Sequence, residues 1–86
     1  MEFKYVPPAY SPSAGLRVEW EDNAVISVQV VGGEVLLRAN RAGLLTLAKH
    51  LVTLAQEGVT AGTHLHYDVD SGLEEGSREL IVERLE

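Results

Sequence analysis

Apolar and charged residues alternate along Leu16-Arg17-Val18-Glu19-Trp20, and a second alternation places Ile26, Val28 and Val30 on every other position between Ala24 and Val31. A period of two is the mark of a strand with one buried face. Glu21-Asp22-Asn23 between the two runs is turn material, and Asn23 tolerates a left-handed backbone. Gly32-Gly33 then predicts a tight hairpin, since both central residues of such a turn need positive φ. The next strand is Glu34 to Ala39. A two-residue loop sets Val30 opposite Val35, Val28 opposite Leu37 and Ile26 opposite Ala39. Directly opposed residues share a face, so the apolar sets of both strands coincide. The same logic selects a three-residue loop for the first hairpin, with Val18 opposite Ile26 and Leu16 opposite Val28.

After Ala39 the period changes. Asn40 is a good helix N-cap, and Arg41 to Glu57 reads as a helix. Leu44, Leu47, Ala48, Leu51, Leu54 and Ala55 recur at spacings of three and four and form one apolar stripe, which predicts that Lys49, Thr53 and Gln56 face outward. Gly58 is read as the left-handed cap that ends the helix. A strand from Thr63 to Val69 follows, then a loop from Ser71 to Ser77 and a last strand from Glu79 to Leu85, whose facing the pattern leaves open. The expected fold is α+β, in the order β-β-β-α-β-β. A single helix packs on one face of a mostly antiparallel sheet of four to five strands. Residues 15–86 form this domain. Residues 1–14 hold all three prolines and read as an N-terminal arm, part of which docks, with Phe3 to Val6 as a short edge strand.

Composition narrows the chemistry. The chain has no cysteine, which removes disulfides, thiolate nucleophiles and cysteine-rich zinc sites together. Seven basic residues stand against thirteen acidic ones, and seven of those acids lie between Asp68 and Glu86. An acidic surface repels phosphate, so nucleic acid is not an expected partner, whereas a basic protein is attracted. No segment has the apolar length of a membrane span and the N-terminus does not read as a secretory signal, so the expectation is a cytoplasmic protein. At 86 residues the core is small, and a homodimer is an alternative way to gain burial.

One stretch concentrates polar groups. His64, His66, Asp68 and Asp70 alternate with Leu65, Tyr67 and Val69, so a strand would show all four on one side. A metal site on His64, His66 and Asp68 is an alternative, but a straight strand spreads these groups over about 13 Å, too far for one ion without help from another strand. His50 sits on the helix, across the sheet from them. No nucleophile or pocket accompanies the carboxylates, and Ser71 and Ser77 lack a base, so neither an enzyme nor a cofactor is expected. An interaction surface fits better. Ser27, Gln29, Leu36, Arg38, His64, His66, Asp68 and Asp70 would share the open sheet face, bordered by the acidic loop with Glu74 and Glu75.

Three segments carry a resemblance. Asn40-Arg41-Ala42-Gly43-Leu44-Leu45-Thr46-Leu47-Ala48, then Gly62-Thr63-His64-Leu65-His66-Tyr67-Asp68, then Ser71-Gly72-Leu73-Glu74-Glu75-Gly76-Ser77 with Glu79-Leu80-Ile81-Val82, resemble bacterial immunity protein family 32. The family pattern is a GL-x-x-LA helix, a G-x-H-x-H-x-D strand and an NGLE-x-GS loop closing on an LII-type strand. Ser71 stands where the family usually has Asn, and Val82 where it has Ile. The resemblance implies a predicted immunity protein of a polymorphic toxin system, which binds and blocks a co-encoded toxin domain stoichiometrically. His64, His66, Asp68, Asp70, Glu74 and Glu75 are then the expected partner-binding residues.

Overall fold

Gly32 and Gly33 adopt φ of 59° and 81° and join β1 (Ile26–Val31) to β2 (Glu34–Ala39). The register is the expected one, with Ile26 on Ala39, Val28 on Leu37 and Val30 on Val35. The computed structural model describes all 86 residues. It continues with α1 (Arg41–Leu54), β3 (His64–Tyr67), a single 3-10 turn at Val69–Ser71 and β4 (Leu80–Glu83). β3 and β4 are antiparallel, with His64 on Glu83, Leu65 on Val82, His66 on Ile81 and Tyr67 on Leu80.

The α+β class holds, but the single sheet of four to five strands does not form. There are two separate two-stranded sheets, β1-β2 and β3-β4. Leu16 to Trp20 is not a strand, and the predicted pairing of Val18 with Ile26 is absent. Its backbone bonds go to the helix. The Glu19 carbonyl accepts from His50, at 2.8 Å, and the Glu21 amide donates to Thr46 Oγ1, at 2.9 Å. The Lys49 ammonium adds an ion pair to the Glu21 carboxylate at 2.9 Å. The edge of β1 that this segment was expected to occupy is taken by the loop before β4. There Glu74 N donates to Ile26 O at 2.9 Å and Arg78 N to Val28 O at 2.7 Å. This loop bridges the two sheets.

The helix is also turned relative to expectation. Its buried residues are Gly43, Thr46, His50, Thr53 and Leu54, a row at spacings of three and four. Leu44 and Leu51 of the predicted stripe are 55% and 49% exposed, and Thr53, predicted to face outward, is buried. Two physical reasons settle the facing. Gly43 lets the first turn lie directly on β1, where a β-carbon would stand 2.5 Å from the Val25 carbonyl oxygen. The buried hydroxyls are satisfied within the helix or by its neighbour: Thr46 Oγ1 donates to Ala42 O and Thr53 Oγ1 to Lys49 O. No buried side-chain polar atom lacks a partner.

The helix ends at Leu54, before the expected Glu57, and Gly58 takes its left-handed conformation (φ 85°) beyond that end. The Arg84 guanidinium donates to the carbonyls of Leu54 and Gln56, both at 2.8 Å, closing the helix C-terminus from β4's extension. The facing of β4 follows: Leu80 and Val82 turn inward while Ile81 is 58% exposed. The core comprises Ile26, Val28, Leu54, Val59, Leu65, Tyr67 and Leu73, with Trp20, Leu16 and Val18 packed against it. Gln56 holds the arm, its Nε2 donating to Pro8 O at 3.1 Å and its Oε1 accepting from Tyr10 N at 3.4 Å. Phe3 to Val6 is not a strand.

Asn40 caps α1 as expected and does more. Its Oδ1 accepts from Gly43 N at 2.8 Å and from Val25 N at 3.0 Å, and its Nδ2 donates to Asn23 O at 2.9 Å. One side chain therefore ties the helix start to Val25, at the entry to β1, and to the left-handed Asn23. Asn40→Ala is expected to lower stability by about 2 kcal/mol, at the upper end of cap effects. A fall in the urea midpoint at unchanged slope measures this. A change of a few tenths would show that water replaces these bonds freely.

Candidate partner-binding surface

Because β3 is a strand, its side chains alternate. Leu65 and Tyr67 enter the core, and His64 and His66 stand on the opposite face, both exposed. The β3-β4 register sets Glu83 beside His64 and Ile81 beside His66 on that outer face. The His66 imidazole Nε2 lies 3.7 Å from Glu79 Oε1. His64 Nδ1 lies 3.1 Å from the Gly62 carbonyl, to which it donates. The result is a small exposed platform with an apolar centre, Ile81, ringed by histidines and carboxylates.

The strand ends earlier than the pattern predicts, at Tyr67, and Asp68 starts a turn. Ser71 Oγ donates to Asp68 Oδ1 at 2.9 Å, while the Asp68 amide donates back to Ser71 Oγ at 3.0 Å. This reciprocal cap folds residues 69–71 into one 3-10 turn. The Ser71 hydroxyl holds the Asp68 carboxyl below its ordinary range. Asp68 is thus a turn-forming residue. Asp70 lies on the turn rather than on the histidine face, so four groups on one strand side become two histidines on the strand and two aspartates around a corner.

Gly72 follows with φ 118°, and a β-carbon there would meet the Trp20 ring at 2.5 Å. Leu73 is buried. Glu74, whose amide makes the first of the two backbone bonds to β1, and Glu75 after it are both exposed. Glu74 and Glu75 therefore project from a segment whose backbone is tied at both ends, and Asp70 from the turn just before it.

The metal alternative on His64, His66 and Asp68 changes composition. His66, Asp68 and Glu79 each bring one potential ligand atom within 4.8 Å of the others, and His64 is not in the group. Glu79, from the segment entering β4, supplies the ligand that a single strand could not. His66 and Glu79 are exposed, and the half-buried Asp68 is already engaged by Ser71. The predicted open face is split as well. Ser27, Gln29, Leu36 and Arg38 belong to the β1-β2 sheet, which shares no strand with β3-β4.

Sequence reasoning missed one polar cluster altogether. His50 is 1% exposed, with Nδ1 2.8 Å from Tyr67 Oη and Nε2 2.8 Å from Glu19 O. A carbonyl only accepts, so Nε2 carries the proton and Nδ1 accepts from the phenol. Trp20 packs edge-on to both rings, at 5.5 and 6.2 Å between centroids. Burial lowers the pKa of His50 and pushes the Tyr67 phenol up to about 12, which keeps one neutral and the other a donor. The signal was the row Gly43, Thr46, His50, Thr53, which has helical spacing but is hidden by a more hydrophobic row beside it.

No helix is long and apolar enough to cross a membrane. The sequence model of a family described as Immunity protein 32 matches residues 34–85, from the start of β2 to beyond β4. No curated protein and no solved structure matches the chain.

Proposed function

The chain belongs to the Immunity protein 32 family, and from that premise we propose that it neutralises a co-encoded bacterial toxin domain in the cytoplasm by binding it one to one, without turnover. The contact we assign is the β3-β4 outer face with the loop that follows, using His64, His66, Asp68, Asp70, Glu74 and Glu75. One observation carries the assignment: exposed Glu74 and Glu75 project from a loop pinned by Glu74 N to Ile26 O and Arg78 N to Val28 O, and exposed Asp70 from the turn that Ser71 closes on Asp68. Charges on a pre-ordered backbone meet a partner with little further loss of freedom. Carboxylates so held match a basic toxin surface and speed the encounter, as for a nuclease whose site binds phosphate. Ile81, 58% exposed beside His66, supplies the apolar centre that such a contact needs. His66 and Glu79 serve as rim groups in this reading rather than as metal ligands.

The test is co-expression with the toxin domain encoded next to this gene. Asp70→Asn, Glu74→Gln and Glu75→Gln combined should leave the protein folded by circular dichroism but abolish protection. Association measured at low salt should slow by about ten- to a hundredfold and lose most of its salt dependence. Full protection by the triple variant would overturn the assigned contact.

A further inference from the structure

β2 is an edge strand without the usual protection. Its one strand neighbour is β1, whose other edge is covered by the Glu74–Arg78 loop, while β2's outer edge is open. It has no proline and no bulge, and Val35, Leu36 and Leu37 at its centre are 69%, 40% and 39% exposed. Such an edge is a template for another strand. Its charged residues, Glu34 and Arg38, take part in no ion pair or side-chain hydrogen bond within the chain.

We propose that β2 pairs antiparallel with β2 of a second copy, about a twofold axis at Leu36, to make a continuous sheet β1-β2-β2-β1. The register follows from the turn. A two-residue turn bonds Val31 to Glu34, and bonding alternates along an antiparallel ladder, so Glu34, Leu36 and Arg38 direct their backbone groups toward β1. Val35 and Leu37 direct theirs to the open edge. Two copies can join only where outward groups oppose outward groups. The pairing of Val35 with Leu37 of the second copy meets that condition, each pair exchanging both backbone bonds. It sets Leu36 on Leu36 and, on either side of it, Glu34 on Arg38. The two residues without partners in one chain become each other's partners in two. Shifting the copies by two residues in either direction keeps the backbone bonds but separates these charges. Opposite charges directly across a ladder are stabilising and like charges are not, so this register is favoured. The symmetry is that of the commonest homodimers. The second copy sits on the edge of the hairpin away from the Glu74–Arg78 loop, so the pairing is independent of the toxin contact.

Sedimentation and amide exchange test this on the full chain. A dimer with a Kd in the micromolar range is expected of so small an interface. In it the Val35 and Leu37 amides become slow to exchange. Leu36→Lys sets lysine on lysine at the axis and should yield a folded monomer in which both amides exchange quickly. Glu34→Arg or Arg38→Glu alone should each weaken the dimer about tenfold, and the two together should restore it, because the swap rebuilds both cross-copy pairs. A wild-type chain that stays a single copy at its solubility limit overturns the proposal. So does a dimer indifferent to Leu36→Lys, or a double swap no tighter than the single ones.

Discussion

Gly43→Ala is expected to lower stability by about 2–3 kcal/mol, with a melting temperature roughly 10 °C or more below that of the wild type. The sign makes this informative. In an ordinary helix interior the same change is favourable by about 1 kcal/mol, because alanine loses less backbone freedom than glycine. Gly43 has a helical backbone and is not one of the glycines with positive φ, so no conformational need protects it. Only the approach of α1 to β1 opposes a β-carbon. It would stand 2.5 Å from Val25 O, 2.9 Å from Ile26 Cγ1 and 3.0 Å from Ala39 Cβ. Two of these neighbours cannot swing away. Val25 O belongs to the backbone and accepts from Asn40 N at 3.0 Å, and Ala39 has no rotamer to change. Relief would require the helix to lift off the hairpin, loosening the cap at Asn40. Thermal unfolding of the variant decides the point, and a melting temperature at or above the wild type's would show that the helix lies farther from β1.

The same contact explains how much of the fold the sequence revealed. The hairpin was legible to its register because Gly32-Gly33 permits one turn and both strands alternate in phase. The helix start was legible because Asn40 is a good cap and apolar residues recur at spacings of three and four after it. Its facing was not. Hydrophobicity favours Leu44 and Leu51, yet the side that packs is the one whose shape and polar groups match the chain beneath it. Gly43 removes bulk, and Thr46 and His50 satisfy the backbone of residues 19–21. A period-two pattern likewise could not reveal that Leu16 to Trp20 lies along a helix, since an extended segment buries alternate residues against any flat neighbour. For the same reason one sheet was expected where there are two. The covered edge of β1 is held by Glu74 and Arg78, residues in a glycine-containing loop with no strand pattern.

For the candidate surface, the alternation from His64 to Tyr67 correctly put two histidines outward. The strand stops at Asp68 because Ser71 offers that carboxylate and amide a closed pair of bonds that no neighbouring strand matches. Side-chain capping three residues ahead competes with strand extension, and here it prevails. The exposed leucines on α1 follow from the helix's facing. A small domain that uses its glycine, threonine and histidine face for packing leaves apolar residues at the surface, and such patches are where contacts form.

The wild-type protein is expected to lose stability as pH falls from 7 to 5, and His50→Gln to lose most of that sensitivity while being less stable at pH 7. His50 has a pKa below the ordinary 6.5, because charging it means burying an imidazolium. The unfolded chain takes up a proton near pH 6.5 and the folded chain does so only at lower pH. Between those two values the unfolded state holds more protons, so acid favours unfolding, by at most about 1.4 kcal/mol per pH unit for a single group. Geometry adds to the electrostatics. A proton on Nδ1 would turn an acceptor into a donor facing the Tyr67 hydroxyl, which must then reverse its own bond. The other nitrogen cannot relax, since it already donates to Glu19 O. Glutamine keeps one donor and one acceptor but not the ring that packs on Trp20 and Tyr67, so about 2 kcal/mol should be lost at neutral pH. Denaturant unfolding of both proteins across this range measures the difference, which should shrink steadily toward pH 5. The exposed histidines His64 and His66 are common to both proteins and cancel in the comparison. A difference that stays constant with pH would mean that His50 takes up its proton without leaving the core.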